Sequence, residues 1–255
     1  MDWKNKVVFI TGASSGIGAE LSLQLARRGA ILGLLARRAE QLEELAAQVA
    51  AAGGQALVLP ADVTDAAAVQ AAADKLRAEC GHIDTMIANA GTGDITDGKK
   101  LPAETVANIF RINLIGASNA VAAVVPQMVA RGSGHLVAIS SLSAYRGLPK
   151  SGAYCASKAG LSTLFESIRL DTKGTGVDVS IIHPGFIKTP LTSGREAKMP
   201  FLMELEDGTN RIRRAIERRQ KSYSFPWQLA TLVRLAMIMP IPIYDFIAAR
   251  NNYRE

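Results

Sequence analysis

The stretch Val7-Val8-Phe9-Ile10-Thr11-Gly12-Ala13-Ser14-Ser15-Gly16-Ile17-Gly18 decides how the rest of the chain is read. An apolar run ends in Thr11-Gly12, and Ile17, Leu21 and Leu25 then recur at helical spacing, with Gly29 where a C-cap belongs. This predicts a buried strand, a tight glycine turn and a helix. Glycines let such a turn take unusual dihedrals and let backbone approach a phosphate closely. The helix behind it offers free N–H groups and the positive end of its dipole. Ser14 and Ser15 add hydroxyls, and Gly12, Gly16, Ile17 and Gly18 complete a candidate cradle. The plainer alternative is a turn that needs glycine for packing alone. Its place after the first strand and before a helix favours phosphate binding.

The same alternation continues outward. Ile31–Leu35, Ala56–Leu59, Thr85–Ala88, Leu136–Ile139 and Val177–Ile182 are further short apolar runs. Helical patterns separate them, at about Glu40–Ala51, Asp65–Cys80, Ala103–Arg131 and Ser151–Lys173, with Thr64 or Asp65 as an N-cap. Strands that are apolar throughout are covered on both faces. Strands joined through helices are parallel, with right-handed crossovers. The expected fold is α/β: a doubly wound, Rossmann-like parallel sheet of six or seven strands with helices on both faces. Residues 195–255 read as a helical appendage of the same single domain, 1–255.

Composition narrows the function classes. With 48% apolar and 20% charged residues, the chain is not intrinsically disordered. Two cysteines make neither a disulfide scaffold nor a cysteine-built zinc module. A net charge of +6 is mildly basic and favours a mixed solvated surface over a nucleic-acid partner. The uncharged stretch Ile112–Ala130 carries Asn113, Asn119, Pro126 and Gln127, so a buried or interface helix explains it better than a membrane span. No secretory signal is visible, and with free thiols this points to the cytoplasm.

The end of the second strand selects between dinucleotides. Binders of NAD place an acidic group there for the ribose 2′-hydroxyl. Here the strand ends in Arg37-Arg38, and guanidinium forks match a 2′-phosphate. The expected cofactor is NADP(H). The alternative is a pair of solvated arginines opening a helix. Further on, Tyr154 and Lys158 share one helix face, and Ser141 follows the fifth strand.

Taken in order, these segments resemble the short-chain dehydrogenase/reductase family over about residues 5–190. The parts are Thr11-Gly12-x-x-x-Gly16-x-Gly18, Asp62-Val63, Asn89-Ala90-Gly91, Asn113, Ser141, Tyr154 with Lys158, and Pro184-Gly185 with Thr189. Each alone is unspecific; the ordered set is specific. The resemblance implies hydride transfer between nicotinamide and a carbonyl or secondary alcohol. It makes Tyr154 the general acid or base, Lys158 its electrostatic partner and ribose contact, and Ser141 the hydrogen bond to substrate oxygen. It implies that Asp62 and Val63 meet the adenine, that Asn89, Ala90 and Gly91 flank the nucleoside, and that Ile187 and Thr189 meet the nicotinamide amide. Asn113 would position a water beside Lys158 through a local helix distortion. A homodimer or homotetramer, paired through the helices near 103–131 and 151–173, is also implied. Ala88 departs from the family pattern, which often has asparagine there.

Three features stand outside this set. His82, His135 and His183 are scattered and make no metal site. Arg211, Arg214 and Arg218 share a face with Lys221 and read as solvated. The family's usual seventh-strand segment is missing, with Lys221–Phe225 the candidate replacement. Behind it the apolar tail either closes the cleft, packs against a second subunit or rests on a membrane. A packed tail or subunit contact is the favoured expectation, and Ser143, Arg146 and residues 190–210 are expected to build the substrate pocket. A protein that binds NADP(H) without turnover is the competing class. It has no need of Ser141, Tyr154 and Lys158.

Overall fold

The computed structural model describes residues 2–194 and 199–250. Its strands are β1 (Val7–Thr11), β2 (Ile31–Ala36), β3 (Gln55–Pro60), β4 (Thr85–Ala88), β5 (Gly134–Ile139), β6 (Val177–Pro184) and β7 (Ser222–Phe225). They form one parallel sheet in the order β3-β2-β1-β4-β5-β6-β7. Connections run one way from β1 to β3 and the other way from β4 onward. The reversal between β1 and β4 opens a crevice at the carboxyl ends of the strands.

Strand side chains alternate between two cores. Val7 and Phe9 of β1, Met86 and Ala88 of β4, and Leu136 and Ala138 of β5 face one side. There they meet α3 (Ala66–Cys80), α5 (Gly116–Arg131) and α6 (Gly152–Asp171) through Val69, Leu76, Val121, Val124, Leu161 and Phe165. Val8, Ile10, Ile87 and Val137 face the other side. Their partners are Leu21 and Leu25 of α1 (Gly16–Ala26), Leu42 and Val49 of α2 (Ala39–Ala51), and Ile212 and Ile216 of α7 (Leu205–Glu217). Trp3, fully buried, closes the end of this second core, and its Nε1 donates to Glu217 at 2.8 Å.

The expected elements appear within a residue or two of their sequence signals. Asp65, not Thr64, caps α3: its carboxylate accepts from the Ala68 N–H at 3.0 Å. The long helix after residue 103 is compound. It runs through α4 (Ala103–Phe110), a π-helical turn at Arg111–Ile115 and then α5. By length and composition it is the one helix among the described residues that could cross a membrane. It instead packs Ala117, Ala120, Val124 and Met128 into the core.

The seventh strand is real and parallel to β6, with Ile182 opposite Tyr223 and Pro184 opposite Phe225. After it come α8 (Trp227–Ile238) and α9 (Ile241–Ala248). Only Ala230 is buried in α8, and α9 buries no residue. The tail is therefore not packed into the body along its length. It is pinned at a few points, described below, and leaves most of its apolar side chains exposed.

Candidate active site

Strand ends, not loops alone, set the site. A cavity of about 540 Å³ lies along the carboxyl edge of β1, β2, β4, β5 and β6. Of the positions singled out in the sequence, Gly12, Ser14, Ser15, Gly16, Ile17, Arg37, Arg38, Asp62, Val63, Asn89, Ala90, Gly91, Ser141, Tyr154, Lys158, Pro184, Gly185, Ile187 and Thr189 all line it. Gly18 and Asn113 do not; both act from behind the wall.

The glycine turn is held by close approach. Gly12 has φ +67°, and a Cβ there would lie 2.7 Å from the Ala90 Cα. A Cβ on Gly18 would lie 2.3 Å from the Gly12 carbonyl oxygen. Both contacts exclude any larger residue, so the turn can press against the β4 loop. Asn89 Nδ2 donates to the carbonyls of Thr11 and Gly12 at 3.0 and 3.1 Å. Thr11 Oγ1 accepts from the N–H groups of Asn89 and Ala90, each at 3.1 Å. Thr11 thus joins the two central strands, a bracing role that the sequence motif alone does not assign.

At the end of β2, the Arg38 guanidinium donates to Ser14 Oγ and Ser15 Oγ, both at 2.9 Å. Arg37 lies 3.7 Å from the Asp62 carboxylate. That carboxyl is held below its usual range, first by the Thr64 N–H, then by the Thr64 hydroxyl and Arg37, against the opposing effect of burial. Two guanidiniums and two hydroxyls therefore gather at one corner of the cavity.

The other end holds the reactive groups. Tyr154 and Lys158 sit one turn apart on α6, with Lys158 Nζ 5.9 Å from the Tyr154 ring centre. Lys158 is 4% exposed, and its ammonium donates to the Ile139 carbonyl at 2.8 Å. Burial lowers its pKa to about 8. Ser141 follows β5, and its Oγ accepts from the Ser143 N–H at 3.1 Å.

Asn113 occupies the π-helical turn, fully buried. Its Oδ1 accepts from the Thr92 N–H at 2.7 Å, and its Nδ2 donates to the Thr92 carbonyl and to Ser157 Oγ at 2.9 and 3.0 Å. A Cβ on Gly91 would lie 3.3 Å from Lys158 Nζ and 3.4 Å from Asn113 Oδ1. Glycine keeps the space between these two polar atoms open.

Sequence reasoning missed the supports beneath Lys158. Ser140 Oγ and Ser162 Oγ lie 2.8 Å apart, and each also donates to the Lys158 carbonyl, at 3.1 and 2.9 Å. Ser162 reaches His183 Nε2 at 3.2 Å. Desolvation pushes the His183 pKa down to about 4, as it does for His135, whose Nε2 meets Ser180 Oγ at 2.8 Å. Both are buried packing histidines, and the described residues hold no cluster suited to a metal. Thr192, within the segment expected to build the substrate pocket, lines the cavity; its Oγ1 accepts from the Thr189 N–H at 2.9 Å and donates to the Ile187 carbonyl at 2.8 Å.

Arg146, expected in the substrate pocket, does not line this cavity: its guanidinium donates to the carbonyls of Ala236 and Met239 and stacks 3.8 Å over the Tyr244 ring. The Tyr244 hydroxyl donates to the Gly147 carbonyl. Arg146 and Gly147, at the far end of the loop after β5, thereby fasten the tail. Part of the proposed substrate segment, residues 195–198, lies outside the described residues.

Fold and cavity together mark a dinucleotide-binding α/β protein. Residues 6–200 match the short chain dehydrogenase family. An uncharacterised oxidoreductase of Myxococcus xanthus is 46% identical over 245 residues, covering 96% of this chain and 97% of that protein. A short-chain type dehydrogenase/reductase from Mycobacterium marinum has a similar crystal structure, with a TM-score of 0.81 and 27% identity over 88% of this chain and 94% of that one. An NAD+-bound xylitol dehydrogenase gives a TM-score of 0.81 with 25% identity over 89% and 98%. The chain belongs to the short-chain dehydrogenase/reductase family of nicotinamide-dependent oxidoreductases.

Proposed function

We propose that this protein is an NADP(H)-dependent oxidoreductase acting on a carbonyl or secondary alcohol. The observation that carries the reading is the meeting of Ser141, Tyr154 and Lys158 with the glycine turn in a single cavity. The dinucleotide, when bound, supplies or accepts the hydride. The residues present fit it. The glycine turn and the N-terminus of α1 would hold its pyrophosphate. Arg37, Arg38, Ser14 and Ser15 would grip a 2′-phosphate, and this cluster is what favours NADP(H) over NAD(H). Asp62 and Val63 would meet the adenine, Asn89 to Gly91 the nucleoside, and Ile187 and Thr189, with Pro184 and Gly185, the carboxamide end.

Tyr154 then gives a proton to the substrate oxygen in reduction or takes it in oxidation. A free phenol titrates near ~10 and holds its proton too tightly for rapid exchange at neutral pH. The Lys158 ammonium, one helical turn along, would stabilise a phenolate over the neutral phenol. Ser141 donates to the substrate oxygen and steadies the charge that develops there. Asn113 fixes the loop at Thr92 against α6, and the gap left by Gly91 would take a water linking Asn113 to Lys158. A second copy would pair on the α5 and α6 side, where Ile115, Val129 and Leu170 are exposed.

The test is a carbonyl and alcohol panel run with NADPH and NADH in parallel. Faster oxidation of NADPH supports the assignment. A clear preference for NADH overturns the reading of Arg37 and Arg38.

A further inference from the structure

The tail presents a surface that the catalytic reading does not use. Trp227, Leu232, Leu235, Met237 and Ile238 of α8 are exposed, Ile238 at 82%. Ile241, Ile243, Phe246 and Ile247 of α9 are exposed as well, Ile241 at 68% and Phe246 at 62%. A soluble helix normally turns such residues inward, and an apolar patch of this extent marks a contact surface. The exposure is held in place by design of the fold. Arg146 and Gly147, just beyond Ser141, hold the end of α8 and Tyr244. Leu229, at the start of α8, lies 3.0 Å from where a Cβ on Gly185 would be. The tail therefore stands beside the mouth of the cleft, not at a remote end.

Charge identifies the occupant. From Trp227 to Arg250 the tail carries two cations, Arg234 and Arg250, and one anion, Asp245. All three are exposed. In a two-fold contact the same patch meets itself, so four arginines would be gathered against two carboxylates, one Asp245 from each copy. An anionic lipid surface answers both the apolar side chains and the arginines. Neither helix spans a bilayer: twelve residues of α8 reach about 18 Å, against a hydrocarbon core of about 30 Å.

We propose that α8 and α9 dock this protein on anionic lipid surfaces, lying in the interface. The docked tail sets the cleft mouth at the surface, so an apolar carbonyl or alcohol dissolved in lipid becomes the natural substrate class. That last step rests on the catalytic reading above; the lipid contact does not.

The test is co-sedimentation of the full chain with phosphatidylcholine vesicles, with and without phosphatidylglycerol. Wild type is expected to pellet with the anionic vesicles and to stay largely in solution with neutral ones. Exposed-site variants should fold as wild type. Arg234→Ala should weaken binding about fivefold, the equivalent of about 1 kcal/mol for one basic residue at such a surface. The pair Ile238→Glu and Phe246→Glu should weaken it more than tenfold. Wild type remaining in solution with both vesicle types overturns the proposal. If the same paired variant then lowers the oligomeric state in analytical ultracentrifugation, the occupant is a second copy. Pelleting without cofactor turnover in the panel above would leave the docking standing and remove the catalytic reading; turnover without pelleting would do the reverse.

Discussion

Lys158 Nζ donates to the backbone carbonyl of Ile139 at 2.8 Å, which fixes a cation at the carboxyl end of β5. Two features of the sequence produce this geometry. The apolar β5 ends where Ser140 and Ser141 begin, and α6 packs back through Leu161 and Phe165. Because the ammonium is buried, its pKa falls to about 8. As pH rises through about 8 the cation is lost, and with it the support for Tyr154 that the proposed function requires. In carbonyl reduction kcat/KM is expected to fall above pH 8. Initial rates from pH 6 to 10 check this; a profile flat to pH 10 refutes the role given to Lys158.

The same burial has a stability consequence. The native pKa of about 8 lies below the ordinary lysine value of 10.5, so the fold disfavours the charged form. Below pH 8 that penalty is fully present. Between pH 8 and 10.5 the unfolded chain holds the proton and the native one does not, so stability contributed by this group rises with pH. Denaturant unfolding of wild type and Lys158→Met should show wild type gaining on the variant across that window. A constant difference contradicts the burial argument.

On the proposed function, the corner formed by Arg37, Arg38, Ser14 and Ser15 would set cofactor choice. Each charge-assisted hydrogen bond to a phosphate contributes on the order of 1.5–3 kcal/mol. Arg38→Ala should therefore raise KM for NADPH roughly tenfold or more and leave KM for NADH nearly unchanged. Equal losses with both cofactors would show that Arg38 serves only to brace the turn.

Gly91 separates structural from catalytic effects. It has an ordinary backbone conformation, since it is not among the glycines of positive φ. Its missing Cβ leaves the gap between Lys158 Nζ and Asn113 Oδ1. Gly91→Ala should change stability by no more than about 1 kcal/mol and lower kcat about tenfold or more, since general acid–base assistance is worth at least that. Unchanged kcat would mean that this gap plays no part in proton delivery.

Much of this was legible in the sequence because it is written locally. The run Val7–Thr11 followed by Gly12, Gly16 and Gly18 declares strand, turn and helix by itself, and the four-residue spacing of Tyr154 and Lys158 needs only a helix. What the sequence hid depends on contacts between distant segments. Arg146 looked like a pocket residue because it follows Ser141, yet its partners are Ala236, Met239 and Tyr244, some ninety residues along. Ser162 and His183 read as ordinary polar positions until folding sets Ser162 under the Lys158 carbonyl and His183 against Ser162. What covers the tail is hidden for a similar reason. Apolar composition signals a contact but not whether the partner lies within the chain.

Arg146→Ala follows from that long-range contact. It would leave the Ala236 and Met239 carbonyls without the guanidinium and release Tyr244 from its stack. Limited proteolysis should then cut after Pro226 at least several-fold faster, with a loss of roughly 1–3 kcal/mol in stability. An unchanged digestion pattern would show that other contacts hold the tail.

In the proposed reaction the Tyr154 hydroxyl carries the proton. Tyr154→Phe removes one oxygen and keeps the ring, so it is the most direct test. NADPH binding, followed by fluorescence titration, should survive within a few-fold, while carbonyl reduction falls by at least ~100-fold. Reduction continuing near the wild-type rate in a variant that still binds NADPH would show that the proton comes from another group.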